Sequence, residues 1–217
     1  MPAREPEQPD LEPGATLDHA PSDSFIDRAQ LERVEIIEPL RAFARDLSLS
    51  MCRVRAGAFA ATTLPGLRMV DCEIGRADCS GATWIDTRIV RTRFESCKCT
   101  GLDTRGGTLR DVRFHECKMP DAFMQECTLD RVWFETCDLQ NIDLSGSTLD
   151  RITLRDCDAR GLYLLGARIT ALDLRGSRID HLAIDTRSVS NIIIDPLQAP
   201  ALAESLGARV IDRNEEI

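Results

Sequence analysis

Long apolar runs are missing from these 217 residues, the longest unbroken aliphatic stretch being about Ile192 to Ile194. A bilayer-crossing helix needs about 20 consecutive apolar residues, so no membrane span is expected. The first 24 residues are acidic and contain prolines, without the basic-then-apolar order of a secretory signal, and the chain reads as cytoplasmic. An excess of positive charge is also lacking. The formal net charge is -9, and of 27 bases only Lys98 and Lys118 are lysine. Binding along a phosphate backbone needs clustered Lys and Arg, so direct nucleic-acid binding is excluded. Histidine is scarce: His19, His115 and His181 lie far apart in the sequence. There is no GxSxG, P-loop or GxGxxG motif and no paired CxxC knuckle. No catalytic, metal or cofactor-binding residues are read here, and the chain is not expected to be an enzyme.

What is present is charge in a particular distribution. Residues 1–32 hold eight acids against two bases, and residues 191–217 hold five against two. Residues 33–190 then carry 23 acids and 23 bases, an evenly mixed body of the kind that solvates a fold. The whole is 43% apolar and 29% charged, enough for one sizeable core and too short for two ordinary domains.

A repeat of five runs through the body. From Cys52, one column holds Val54, Phe59, Leu64, Met69, Ile74, Cys79, Trp84, Ile89 and Phe94, and continues through Leu109, Phe114, Leu129, Phe134 and Leu154 to Ile184. Two residues earlier lies a second column of small or aliphatic residues, including Ala77, Ala82, Cys97, Cys117, Val132, Cys137 and Cys157. Over 27 blocks, spanning 52–186, neither column contains a charge. An α-helix advances about 500° in five residues and would smear this stripe around its surface. A straight strand alternates with period two, so an odd step would turn each block to the opposite face. Both columns stay inside only if the chain turns a corner in every block, giving a coil stacked on itself.

Identical inward residues should recur once per turn of such a coil. Phe94, Phe114 and Phe134 recur at a lag of twenty, as do Cys97, Cys117, Cys137 and Cys157. Four blocks per turn give a square cross-section and about seven coils, a rod on the order of 32 Å long. All nine cysteines fall in the two inward columns, where they read as small apolar fillers.

Blocks such as Cys137-Asp138-Leu139-Gln140-Asn141 and Ala167-Arg168-Ile169-Thr170-Ala171 resemble the pentapeptide-repeat family: small, polar, leucine or phenylalanine, then two polar residues. The resemblance implies an all-β solenoid, a right-handed quadrilateral β-helix. Thr104 and Ala159 at central positions, Leu67 and Leu102 at small positions, and Gly101, Gly106 and Gly107 depart from that pattern, so irregularity is expected near residues 99–107.

Residues 1–23 are rich in Pro, Glu and Asp and are expected to form a disordered acidic tail. The β-helix is expected over 24–194. Ser24/Ile26, Ala29/Leu31 and Val34/Ile36 repeat in a different frame, and the interruption at about 37–46 reads as a short helix or a loop. At the far end Asp195-Pro196 suits an N-cap and first helical residue, with a capping helix to Leu206 ended by Gly207 and a short strand over Arg209 to Asp212. In the quinolone-resistance members of the family the C-terminal end also makes a dimer, so the resemblance implies a homodimer through that end.

Two functions follow. The first is a non-catalytic interaction protein whose flat faces meet a protein partner. Phe123, Trp133 and Tyr163 occupy the outward position between the inward columns, Phe123 and Tyr163 sharing one face and Trp133 the opposite one, and are candidate contact residues. The second comes from the family's gyrase-binding members: an acidic rod that imitates duplex DNA and occupies the channel of DNA gyrase. Asp130, Asp138, Asp150 and Asp158 are its candidate residues, interleaved here with Arg131, Arg151, Arg155 and Arg160.

Overall fold

The structure, a computed structural model, describes residues 5–12, 16–20, 25–37, 42–55 and 59–211. The chain bends every fifth residue, so its strands are short or kinked. They are β1 (Asp18–His19), β2 (Gln30–Glu32), β3 (Val34–Ile36), β4 (Ser48–Ser50), β5 (Arg53–Arg55), β6 (Arg68–Val70), β7 (Glu73–Gly75) and β8 (Arg88–Glu95). After these come β9 (Thr108–His115), β10 (Thr128–Glu135), β11 (Thr148–Asp150), β12 (Ile152–Arg155), β13 (Arg168–Ile169), β14 (Leu172–Asp173) and β15 (Ile192–Ile193). All pair in parallel within one wrapped sheet. Isolated bridges such as Lys98↔Lys118 and Asp103↔Phe123 continue the ladder on the remaining sides.

The register is twenty through the body: Ile74 pairs with Phe94, Phe94 with Phe114, Phe114 with Phe134, and Phe134 with Leu154. Towards the N-terminus the coils shorten. Leu31 pairs with Leu49 and Ile36 with Val54, eighteen apart, and Asp18 pairs with Val34, sixteen apart. These early coils bring the solenoid to about eight turns, where a count from Cys52 gave about seven.

The corners explain why this sequence bends. The residue after each short side takes a left-handed backbone, as at Asp71 (φ 56°), Arg91 (44°), Asp111 (54°) and Arg131 (53°). Aspartates on the outward position brace the next corner: Asp78, Asp103 and Asp143 accept the N–H two residues on, at 2.9, 3.1 and 2.8 Å. Residues 99–107 are regular, against the expectation. Leu102 and Thr104 are buried at inward positions, and Gly101 and Gly106 (φ 64° and 72°) are ordinary corners. A Cβ at Gly106 would lie 2.6 Å from Asp86 Oδ1, so glycine is the residue that fits there.

Inside the tube the two columns form one continuous core. Phe94 stacks on Phe114 at 4.7 Å between ring centroids, and Phe59 meets Trp84 edge-on at 5.0 Å. Each such ring removes apolar surface from water worth about 1.5–3 kcal/mol.

The ends differ from the sequence reading in two places, and one alternative left open there is decided in part. Residues 5–12 and 16–20, assigned to a disordered tail, have defined partners: β1 joins the sheet, and the Glu7 and Asp10 amides donate to Asp111 and Asp71. A tail that borrows hydrogen bonds from the body need not bury a core of its own. The interruption at 37–46 falls partly on residues 38–41, outside the described residues. Over 42–46 no helix forms, because Phe43 already bridges Thr63, and Ala44 is buried in the core.

At the C-terminal end the Asp195 N-cap is present, its carboxylate accepting from Leu197 N–H and its own N–H donating to Gln198. A 3₁₀ turn at Pro196–Gln198 leads into α1 (Ala199–Ser205), and Gly207 follows at φ 87°. Residues 209–211 are not a strand, and Asp212 lies outside the described residues. Side chains replace the missing next coil. Gln198 Nε2 donates to the carbonyls of Leu174 and Ser177 at 2.6 and 2.5 Å, and Asn191 Nδ2 to that of Ile169 at 2.7 Å.

Candidate partner surface

One side of the rod carries the row Thr63, Thr83, Asp103, Phe123, Asp143, Tyr163 and Ala183, each bridged to the next. Phe123 and Tyr163 are 45% and 46% exposed, two coils or about 10 Å apart along the axis. Leu165, the next outward residue after Tyr163, is 48% exposed and widens the patch. Asp143 between the rings is tied down, accepting from Ser145 N–H and from Gln125 Nε2, both at 2.8 Å. The rings therefore stand beside a carboxylate already engaged. Leu165 sits on the polar tail of its block, and the five-residue pattern alone does not single it out.

Trp133 differs from the expectation that solvent would meet it. It is 5% exposed, on β10, with the Arg155 guanidinium 5.5 Å above its ring. Position between the inward columns directs the side chain outwards, but the neighbouring coil's arginine stem covers it.

The four candidate aspartates do not form one surface. Asp130 and Asp150 lie on one side, on β10 and β11, and Asp138 and Asp158 are bridged to each other on another. Arginine meets most of them. Asp130 is within 3.1 Å of Arg110, 3.0 Å of Arg131 and 2.6 Å of Arg151, and Asp150 is 2.7 Å from Arg151. Hydrogen bonds and charge from Arg160 hold the Asp158 carboxyl below its ordinary range. Asp138 accepts from Gln140. The acids are thus members of a mixed lattice of charge.

His115, far in sequence from the other histidines, has one acid as its partner and a second nearby. Its Nδ1 lies 2.8 Å from Glu95 Oε1 across one coil, and Glu116, held by Ser96 Oγ at 3.0 Å, brings a third donor within 4.8 Å of the others. An imidazole and two carboxylates are a donor set that suits a divalent transition ion. The lag-twenty register of β8 and β9 makes this meeting, which linear spacing conceals.

The nine cysteines are all free and buried. Seven of the thiols bond to backbone carbonyls, as Cys97 Sγ does to Glu95 and Ile74 at 3.4 and 3.3 Å. Burial pushes the Cys127 thiol up to about 11.

Residues 87–164 match a family model described as a pentapeptide repeat region. No curated protein matches the chain. Among solved structures, trypsin-treated QnrB1, a plasmid-mediated fluoroquinolone resistance protein, is similar at 20% identity, covering 86% of this chain and 98% of that one, with a TM-score of 0.40. HetL, a pentapeptide-repeat protein involved in heterocyst differentiation regulation in the cyanobacterium Nostoc sp. strain PCC 7120, is 15% identical over 74% of this chain and 90% of its own, with a TM-score of 0.23. The five-residue frame, the four-sided stack and the matched region agree: residues 87–164 are a pentapeptide repeat region, set within a five-residue frame that runs on at both of its sides.

Proposed function

We propose that this chain is a non-catalytic interaction protein that presents a rigid face to a protein partner. The observation that supports this most is the exposed Phe123–Tyr163–Leu165 patch, held on a row whose backbone is fixed by bridges on both sides. Aromatic anchors on a preorganised surface lose little freedom on binding, which is where contact energy concentrates. Affinity capture from the native cell extract with the full chain tests this. Phe123→Asp with Tyr163→Asp should lose the captured protein, while a change on another side, such as Lys98→Glu, should keep it. Capture unchanged by the aromatic substitutions would overturn the reading.

The alternative, a duplex-DNA mimic that binds DNA gyrase, needs an uninterrupted negative stripe, and arginines engage Asp130, Asp150 and Asp158. Gyrase supercoiling assays with and without a fluoroquinolone decide it: a change in supercoiling on adding the chain would favour this alternative. Pairing of two copies through the C-terminal end, where Leu197 is 92% exposed, is tested by sedimentation of the wild type against Leu197→Asp.

A further inference from the structure

The corner opposite the aromatic patch carries Asp71, Arg91, Asp111 and Arg131 in successive coils, with alternating sign. Arg91 forks onto Asp71 through Nε and Nη2 at 2.7 and 2.6 Å, and Arg131 onto Asp111 at 2.6 and 2.7 Å. An ionised carboxylate accepts more than two hydrogen bonds, so each aspartate keeps capacity beyond its arginine. Residues 5–12 use it. The Glu7 N–H donates to Asp111 Oδ1 at 3.2 Å and the Asp10 N–H to Asp71 Oδ1 at 3.1 Å.

The spacing is a geometric match. Three residues of extended chain cover about 10 Å, and two coils of a parallel ladder rise by nearly the same distance. Pro6 and Leu11 are buried at the two ends of the segment, and Gln8 contacts the Arg93 guanidinium. The segment carries Glu5, Glu7, Asp10 and Glu12, and Glu7 lies close enough to Arg91 and Arg131 to interact with their charge. It is held by two amides on carboxylates, an acid beside two arginines and two buried apolar residues.

We propose that this corner is a docking seam for an extended acidic peptide, filled in cis by residues 5–12, so that a partner segment of the same chemistry binds only by displacing them. The seam is separate from the Phe123 face, and each can fail without the other.

Fluorescence anisotropy with a labelled peptide of the sequence Glu5 to Glu12 tests the seam, with a scrambled peptide of the same composition beside it. The full chain carrying Pro6→Ser and Leu11→Asp, which releases the strap, should bind the peptide at least about tenfold more tightly than the wild type does, because no cis competitor remains. It should also prefer the peptide over the scrambled one by about tenfold or more, since position of the amides and anchors matters as well as charge. Equal affinity for the two chains or for the two peptides, or no binding to the released chain at about 1 mM, overturns the proposal. Amide exchange on the wild-type chain is a second readout that needs no variant. The Glu7 and Asp10 N–H groups should exchange at least about tenfold more slowly than in the free peptide, and exchange at the free-peptide rate overturns it equally.

Discussion

Phe114 lies face to face with Phe134, ring centroids 5.0 Å apart and planes within 5° of parallel. Phe94 stacks on its other side, so Phe114 is the middle ring of three and contacts aromatic carbon above and below. Neither flanking coil can collapse far to refill the space, because each is pinned by its own ladder. Phe114→Ala is expected to cost about 3–5 kcal/mol in denaturant-induced unfolding, with Phe114→Leu costing distinctly less. Equal effects of the two substitutions would show that ring volume is not what matters there.

The thiols should be silent in the native state. All nine are buried, so a reagent in solution does not reach their sulfurs while the chain is folded, and at Cys127 burial also pushes the thiol up to about 11, away from the nucleophilic thiolate. Iodoacetamide at mildly alkaline pH is expected to leave the folded chain unmodified by mass spectrometry and to label all nine cysteines after denaturation. Rapid labelling of the native chain would contradict the inward assignment of the cysteine ladder.

The N-terminal strap should loosen in acid. Burial pushes the Asp71 and Asp111 carboxyls up, but hydrogen bonds from Arg91 and Arg131 and from the Asp10 and Glu7 amides more than offset it, leaving both below the ordinary range. A group with a depressed folded value contributes stability above its unfolded value, near 3.9, and loses it as pH falls through the folded value. Protection of the Glu7 and Asp10 amides, measured against the free peptide, is expected to decline below about pH 4 while the core ladder remains protected. Loss at neutral pH, or none at all, would contradict the role of these carboxylates.

Gln198 seals the last coil with two hydrogen bonds to Leu174 and Ser177 carbonyls. Gln198→Ala leaves the Ser177 carbonyl without its donor and the Leu174 carbonyl with the Ser177 N–H alone, at a cost of about 1–3 kcal/mol. Thermal unfolding measures that cost. Gel filtration should at the same time show larger species, since the exposed carbonyl edge is free to pair with another chain.

How much of this was legible beforehand depends on where the deciding contact lies. The Phe94–Phe114–Phe134 and cysteine ladders could be read directly, because a solenoid repeats its own environment and a lag of twenty names the neighbour. Asp195, Pro196 and Gly207 were legible as local cap chemistry. What escaped reading was set by outward side chains, which the repeat does not specify, or by groups beyond the repeat. Trp133 is covered by Arg155, His115 meets Glu95 and Glu116, and Gln198 completes a coil more than twenty residues earlier. The strap was read as disordered because its composition cannot build a core, yet it needs none when Asp71 and Asp111 supply the acceptors. Of the candidate surface, Phe123 and Tyr163 were identified and Leu165 was not, since nothing in the five-residue frame distinguishes an exposed leucine from a polar residue at that position.

The constant twenty-residue offset makes chain length in the body a ruler with a fixed unit. Excising residues 110–129 would join Leu109 to Asp130 and keep every remaining row in phase, giving a rod shorter by one rung with its cap intact. Removing one residue fewer would rotate the whole downstream half, bringing arginine and aspartate to the axis and leucine to water. Natural variants of this molecule should therefore differ in length by whole circuits, and among the described residues the shorter windings lie towards the N-terminus, four and then two residues short.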